Sequence, residues 1–527
     1  MSELVYVSCD SETPIERLAA DLRRAGSTYS LKASAVSPLD SGGEIVRMLL
    51  DTFDWRLLNT GYLLSLEGRQ LRLLAARPSS TSLRTLDLEA ALPELPWSAE
   101  LIPSETVRRL LAPVMDIRAL VPVCSEQGSY RRFRILNDMD KTIGVLEFFE
   151  ASRSGRSMTG RIEALKGYTE ECRHFVSASA GNLEEIDFRS FAAAQLAAGG
   201  REPGAYSTKA RLDLTPDTPA IAAVKRAIAY SFGMMQENEE GILRRTDTEY
   251  LHDFRVALRR LRSIVGEAKG ALHADRRRKL KSELREIGKQ TGDARDLDVL
   301  LLLEKSYREL LPPELSPGLT RFFDWAAEQD RAAYRQLAAF LSGPRYGQIR
   351  AGWLAYAATQ GESAGNGAAP AVTIGEELRQ WLTRRLGAMR RALDALGEDA
   401  TDEAIHTLRV EGKKLRYLLE TMDSLLARKT SARLVKKLKS FQNALGDFND
   451  VSVQEQRLQD HLVEMQESGY NNLDVAASIG GLLTQLRRRR ADLRFAALGE
   501  ARRFRKTIGS RDARELLVRN VAKGGNT

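Results

Sequence analysis

Two short segments of this chain carry a histidine and four basic residues on identical spacing. His252 is followed by Arg255, Arg259, Arg260 and Arg262, and His406 by Arg409, Lys413, Lys414 and Arg416. At 100° per residue, His252, Arg255, Arg259 and Arg262 fall within roughly an 80° arc of one helix face, and His406, Arg409, Lys413 and Arg416 repeat it. Arginine suits planar, bidentate contact with phosphate or carboxylate oxygens. Lysine at 413 and 414 keeps the charge but not the guanidinium geometry, so the shared chemistry is attraction for anions. Each histidine can hydrogen-bond a phosphate oxygen or cap and orient its own helix. No Ser/His/Asp set, Cys/His set or HExxH accompanies them, so nucleophilic and zinc hydrolysis have no support.

The two segments lie 154 residues apart without a gap, and the register continues beyond them. Leu284 meets Leu438, Gly292 meets Gly446, Asp293 meets Asp447, Asp296 meets Asp450, and Lys225 meets Arg379. An internal duplication is the reading. Arg285 and Lys439 share the offset and are further, weaker candidates. Phe254, Leu258, Leu261 and Val265 form a separate apolar stripe, as do Leu408, Leu415 and Leu419, so each helix has one face to bury and one to present. Two facing basic stripes repel unless a polyanion lies between them or Asp and Glu from other helices neutralise them. The glycine–aspartate pairs at 292–296 and 446–450 read as helix punctuation, glycine closing one helix and aspartate capping the next. Two aspartates three residues apart can share a cation, but no full ligand set is visible, and neither metal nor cofactor is expected.

The rest of the chain must hold these helices. Its 527 residues call for two or three domains, and 43% hydrophobic with 28% charged residues is a globular balance. The net charge is +8, with arginine clusters such as RRLRS, RRRR and ARRFRK. No apolar run approaches the ~20 residues that cross a bilayer, and the first residues lack the pattern of a secretory signal. Cys9, Cys124 and Cys172 are few, scattered and odd in number, which points to a reducing cytoplasm.

Up to about residue 195 the sequence alternates in strand-length pieces: LVYVS, TYSLKASAV, GYLLSLEGRQLRLLAA, RRFRIL and TIGVLEFFE. With a helix expected over 14–26, these predict an α+β domain built on an antiparallel sheet or barrel. Residues 196–218 are rich in Gly, Pro and Thr and read as a linker. From 219 to 510 the apolar spacing is helical, predicting an all-α bundle in two halves, about 219–358 and 374–510. Residues 359–373 read as a flexible divider, and 511–527 as a tail.

The doubled pattern H-x-x-R-V-x-x-R/K-R/K-x-R, each followed 40 residues later by G-D-x-R/N-D, resembles the CHAD (conserved histidine α-helical) domain over about 219–510. That resemblance implies two similar helical halves around a basic groove, association with inorganic polyphosphate, and phosphate contact by the twelve basic and histidine residues named above. The N-terminal part is similar to the CYTH fold, a β-tunnel that handles triphosphates with a divalent metal, through DTFDWRLLNTGYLL (51–64) and RIEALKG (161–167). CYTH enzymes carry E-x-E-x-K on the first strand. Here Glu3, Val5 and Val7 stand in that pattern, or Thr28, Ser30 and Lys32, so most of the ligand charge is missing. Glu147, Glu150 and Glu163 remain as possible tunnel carboxylates, and Arg69, Arg72, Arg131, Arg132 and Arg134 as possible phosphate ligands or solvated strand arginines. The expectation is a degenerate CYTH-like domain beside a polyphosphate-binding one, in the cytoplasm and on polyphosphate granules. A metal-dependent triphosphatase is the alternative. Nucleic-acid binding is the weakest reading, because few aromatics interleave the basic stripes.

Overall fold

The computed structural model describes residues 3–9, 28–33, 44–77, 80–88, 92–152, 158–179, 182–200, 202–208, 212–359, 372–397, 400–469, 472–508 and 515–516. The chain divides into two compact units, Met1–Ser207 and Thr208–Thr527.

The first unit is an antiparallel sheet of ten strands: β1 Glu3–Cys9, β2 Ser30–Ala33, β3 Ile45–Thr52, β4 Tyr62–Glu67, β5 Gln70–Arg77, β6 Ser80–Asp87, β7 Leu120–Leu136, β8 Thr142–Ala151, β9 Met158–Ala164 and β10 Leu183–Ile186. The order is β10-β1-β9-β8-β7-β3-β4-β5-β6, with β2 on β7, and β6 lies against β1, so the sheet curls into a barrel. Among the described residues four α-helices accompany it: α1 Arg56–Asn59, α2 Glu105–Met115, α3 Thr169–Ser177 and α4 Phe188–Leu196. Alternation sorts the side chains. Val5, Val7, Phe133, Ile135, Leu146 and Ile162 face outward under Cys172, Phe175 and Val176 of α3. Leu4, Tyr6, Leu49, Leu63 and Leu74 face inward, where α4 inserts Phe191, Ala192 and Leu196. The helix expected over 14–26 lies outside the described residues.

Among its described residues the second unit builds its elements as helices, apart from a single bridge between Pro219 and Thr373. Its first half runs α5 Ala220–Leu243, α6 Thr248–Glu267, α7 Ala274–Gln290, α8 Gly292–Leu302, α9 Glu304–Leu310, α10 Ser316–Leu341 and α11 Pro344–Ala358. Its second half runs α12 Ile374–Asp394, α13 Asp402–Thr421, α14 Arg428–Glu467 and α15 Leu473–Ile508. The starts of α5, α6 and α7 recur 154 residues later as the starts of α12, α13 and α14. Even the caps correspond: Asp247 accepts from Glu249 N ahead of α6, and Thr401 accepts from Ala404 N ahead of α13.

The halves meet by a reciprocal contact. Ala220 N donates to Val372 O at 2.9 Å, and Ile374 N donates to Thr218 O at 2.8 Å. Pro219 and Thr373 pair between them. Residues 218 and 372 are equivalents, as are 220 and 374, so each bond is the other's image about a local two-fold axis. Phe254, Leu258, Leu261 and Val265 are buried, as are Leu408, Leu415 and Leu419, each Leu or Phe contributing about 1.5–3 kcal/mol.

The glycine–aspartate punctuation differs between the copies. Only Thr291 separates α7 from α8, whereas Gly446 and Asp447 lie inside the unbroken α14. Most of the expected divider, 360–371, and most of the tail lie outside the described residues.

Candidate polyanion-binding site

Helices α6 and α13 pack against each other, and their basic stripes come together. Arg259 lies close enough to depress proton affinity at both Arg409 and Lys413. Arg259 and Lys413 are equivalents under the 154-residue offset, so the local axis passes between them. Burial pushes the Lys413 ammonium down to about 8, and Arg409, Arg259 and Arg416 add to the effect while Asp450 opposes it. Burial also lowers the Arg255 guanidinium, with Arg259, Arg295 and Arg262 pressing the same way against Asp296.

The stripe is incompletely neutralised. Arg255 Nη1 donates to Thr291 Oγ1 at 2.6 Å and Gly288 O at 3.1 Å, both uncharged acceptors. Among the described residues no carboxylate forms an ion pair with Arg255, Arg259, Arg262 or Lys413. Elsewhere in the unit arginines are answered by acids: Arg385 by Glu267 and Glu411, Arg345 by Glu286, Arg245 by Asp330. The neutralisation weighed from the sequence does occur at Arg409, held by Asp450 at 3.1 Å, and at Arg416, 3.6 Å from Glu420. It fails at the other four cations. Arg255, Arg259 and Lys413 are half-buried and Arg262 is exposed; a charge drawn part of the way out of water without a partner is costly, so the first three store a demand for anions.

Arg260 and Lys414 leave the stripe. Arg260 is buried, donating to Thr208 O and lying 3.5 Å from Glu420. Lys414 lies 2.6 Å from Glu411. Their place in the sequence explains this: one residue past Arg259 or Lys413 is a 100° turn. Arg285 and Lys439 are exposed on α7 and α14. Arg285 shares a face of α7 with Lys281 and Gly288, where Arg255 and Arg262 reach, so it extends the basic surface.

The histidines are oriented from behind by residues not singled out in the sequence. Arg295 Nη2 donates to His252 Nδ1 at 3.0 Å. A guanidinium has no acceptor, so Nδ1 must accept and the neutral ring carries its proton on Nε2. In the second half His406 Nδ1 lies 2.6 Å from Asn449 Oδ1 and donates to it, which leaves the opposite tautomer. Arg295 and Asn449 are equivalents and occupy the variable fourth position of G-D-x-R/N-D. That shared offset was the signal available. The aspartates closing the same motif serve as counter-ions: Asp450 pairs with Arg409, and Asp296 pairs with Arg457.

The barrel interior is occupied by its own charges. Arg132, Glu147 and Arg161 stand side by side across β7, β8 and β9. Glu147 takes Arg161 at 2.5 Å, Arg132 at 2.6 Å and Arg72 at 3.5 Å. Burial opposes this carboxylate's charge, yet Arg161, Arg72 and Arg132 outweigh it and hold Glu147 below the ordinary value. Arg72 also pairs with Glu67, and Arg47 with Glu126. One cavity of ≈ 30 Å³ lies among these side chains, lined by Arg47, Arg72, Tyr130, Glu147 and Arg161. On β1 the inward side chains are Leu4 and Tyr6, whereas Val5 and Val7, which stand in the E-x-E-x-K pattern weighed from the sequence, face outward. Lys32 is exposed beside Asp140, Arg69 and Arg134 are exposed, and Arg131 pairs with the exposed Glu150. Of the sequence candidates, Arg72, Arg132 and Glu147 line the interior or bind what does. Among the described residues no three His, Cys, Asp or Glu side chains converge as a metal site.

Comparison with known proteins finds relatives over part of this chain. Two proteins from Mycobacterium tuberculosis strains, both described only as uncharacterized, are 28% identical over 224 residues, 42% of this chain and 42% of each relative. The crystal structure of the CHAD domain from the plant Ricinus communis superposes with TM-score 0.45 at 24% identity, covering 57% of this chain and 97% of that one. PptA from Streptomyces chartreusis gives 0.43 at 15%, covering 54% and 100%. The family model of the CHAD domain matches residues 226–459, so the helical unit, with its doubled histidine helices, carries a CHAD domain.

Proposed function

We propose that the CHAD unit binds inorganic polyphosphate without catalysis, and that the barrel is a divergent CYTH relative whose triphosphatase chemistry is lost. The observation that carries the reading is the set of four cations, Arg255, Arg259, Arg262 and Lys413, gathered from both halves with no carboxylate ion pair among the described residues. A linear phosphate polymer brings about one negative charge per unit and satisfies several such groups at once. The barrel reading rests on Glu147 and Glu67 occupying the arginines that would otherwise hold phosphate. We place the protein with cytoplasmic polyphosphate, including granules. Among the described residues no helix is long and apolar enough to cross a membrane.

The test is titration of the full chain with long-chain polyphosphate at two salt concentrations, beside an Arg255→Ala/Arg409→Ala variant and with RNA as competitor. Affinity should fall with salt by a slope of ~0.7–0.9 per neutralised phosphate, by analogy with nucleic acids, and collapse in the variant. RNA competing equally per charge would replace this reading by nucleic-acid binding. Phosphate release from triphosphate with Mg²⁺ or Mn²⁺ would overturn the barrel's part.

A further inference from the structure

The two-fold arrangement of the site is broken at its centre, where Arg259 of one half faces Lys413 of the other. An arginine stays charged at any ordinary pH, while a lysine need not. Lys413 is half-buried, and cations surround it. Arg259 approaches from α6, Arg409 and Arg416 flank it on α13 itself, and Tyr417 lies beside Arg409. The acids on this side are Asp450 of α14, already bound to Arg409, and Glu420 of α13, which lies 3.6 Å from Arg416. Helix α12, also packed on α13, sends Arg385 to Glu411 on the opposite side.

We propose that Lys413 is a proton-linked element of the polyanion site: it holds its proton weakly when the site is empty and tightly once the phosphate chain enters, so that binding above neutral pH takes up a proton. The inference rests on the polyphosphate reading above and adds a regulation to it. The proton goes to the Lys413 Nζ lone pair from water or buffer, no other bond changes, and the new ammonium is held by the phosphate oxygens. The free lysine is pushed down to about 8 by burial and its cationic neighbours, and a bound polyanion cancels the second cause. The binding-competent charged fraction then falls from ~0.9 at pH 7 to ~0.1 at pH 9, so affinity drops about tenfold across that range.

The experiment is isothermal titration of the full chain with long-chain polyphosphate, whose internal units do not titrate in this range. Titrations run from pH 7 to 9 in buffers of different ionisation enthalpy. Wild type should take up about half a proton from Lys413 at pH 8 and lose about tenfold in affinity by pH 9. Lys413→Arg, whose guanidinium has a precedent in Arg259, should bind with that uptake removed and the pH slope flattened. Uptake and pH slope identical in both proteins overturn the proton linkage and leave polyphosphate binding intact. No binding at pH 7 overturns the functional reading and this inference with it.

Discussion

Replacing Lys413 with methionine should make the protein more stable and a poorer binder at the same time. A lysine in an unfolded chain titrates near 10.4, and in the folded chain this one sits at about 8. The folded state holds the proton less tightly, so charging Lys413 opposes folding. That penalty is complete below about pH 8 and fades as pH rises toward ~10.4. Taken whole, the difference corresponds to ~3 kcal/mol at 1.36 kcal/mol per unit. Solvent reaches part of the side chain and screens it, which leaves about 1–2 kcal/mol. Methionine keeps the length and drops the charge. For a helical unit of this size, that gain raises the melting temperature by roughly 1.5–3 °C at pH 7. Scanning calorimetry of both proteins, without polyanion, should show the gain at pH 7 and its shrinkage by pH 9.5. A variant less stable at pH 7, or shifted equally at both pH values, would refute the reasoning, because it would mean an anionic group already holds the lysine.

Three further outcomes follow from the same contacts. Glu147→Gln leaves Arg72, Arg132 and Arg161 facing one another in the barrel and should cost about 3–5 kcal/mol there, read as earlier unfolding of that unit with polyphosphate affinity unchanged. Because Glu147 is held below its ordinary value, its stabilisation is present above ~4.3 and is lost as pH falls through and below the ordinary carboxylate range; acid unfolding followed by circular dichroism checks this. Arg260→Ala and Arg262→Ala should separate. The first costs stability and leaves the salt slope of binding alone, while the second lowers that slope by ~0.7–0.9 and shifts stability by less than about 0.5 kcal/mol.

The helical half was legible because its information is local and repeated. The 154-residue offset sets the starts of α5 to α7 and α12 to α14, and the 3.6-residue period separates the buried stripe at Phe254 and Leu258 from the basic one. The same period already set Arg260 and Lys414 apart from Arg259 and Lys413, and clustering by charge alone obscured it. What the sequence hid was pairing between distant elements. Nothing in the order of residues says that Asp450 answers Arg409 while Lys413 goes unanswered, or that Arg295 turns His252 one way and Asn449 turns His406 the other. In the barrel the strands were visible, but the register that stacks Arg132, Glu147 and Arg161 into one ladder was not. Nor was the role of α4, whose Phe191 and Leu196 fill the interior. A one-residue slip in any of those strands would have reversed which charges face inward.

The mirrored hydrogen bonds at Thr218–Ala220 and Val372–Ile374 bear on what kind of polymer suits the groove. A peptide or a nucleic acid has a direction, and a surface that reads it must itself differ from end to end. A run of phosphates joined through shared oxygens is the same read forward or backward. A dyad between α6 and α13 offers such a chain two equivalent ways in, doubling the productive orientations without an added contact. Departures from the dyad, such as Lys413 opposite Arg259 and Asn449 opposite Arg295, are then places along that path where a bound chain could tell one end from the other.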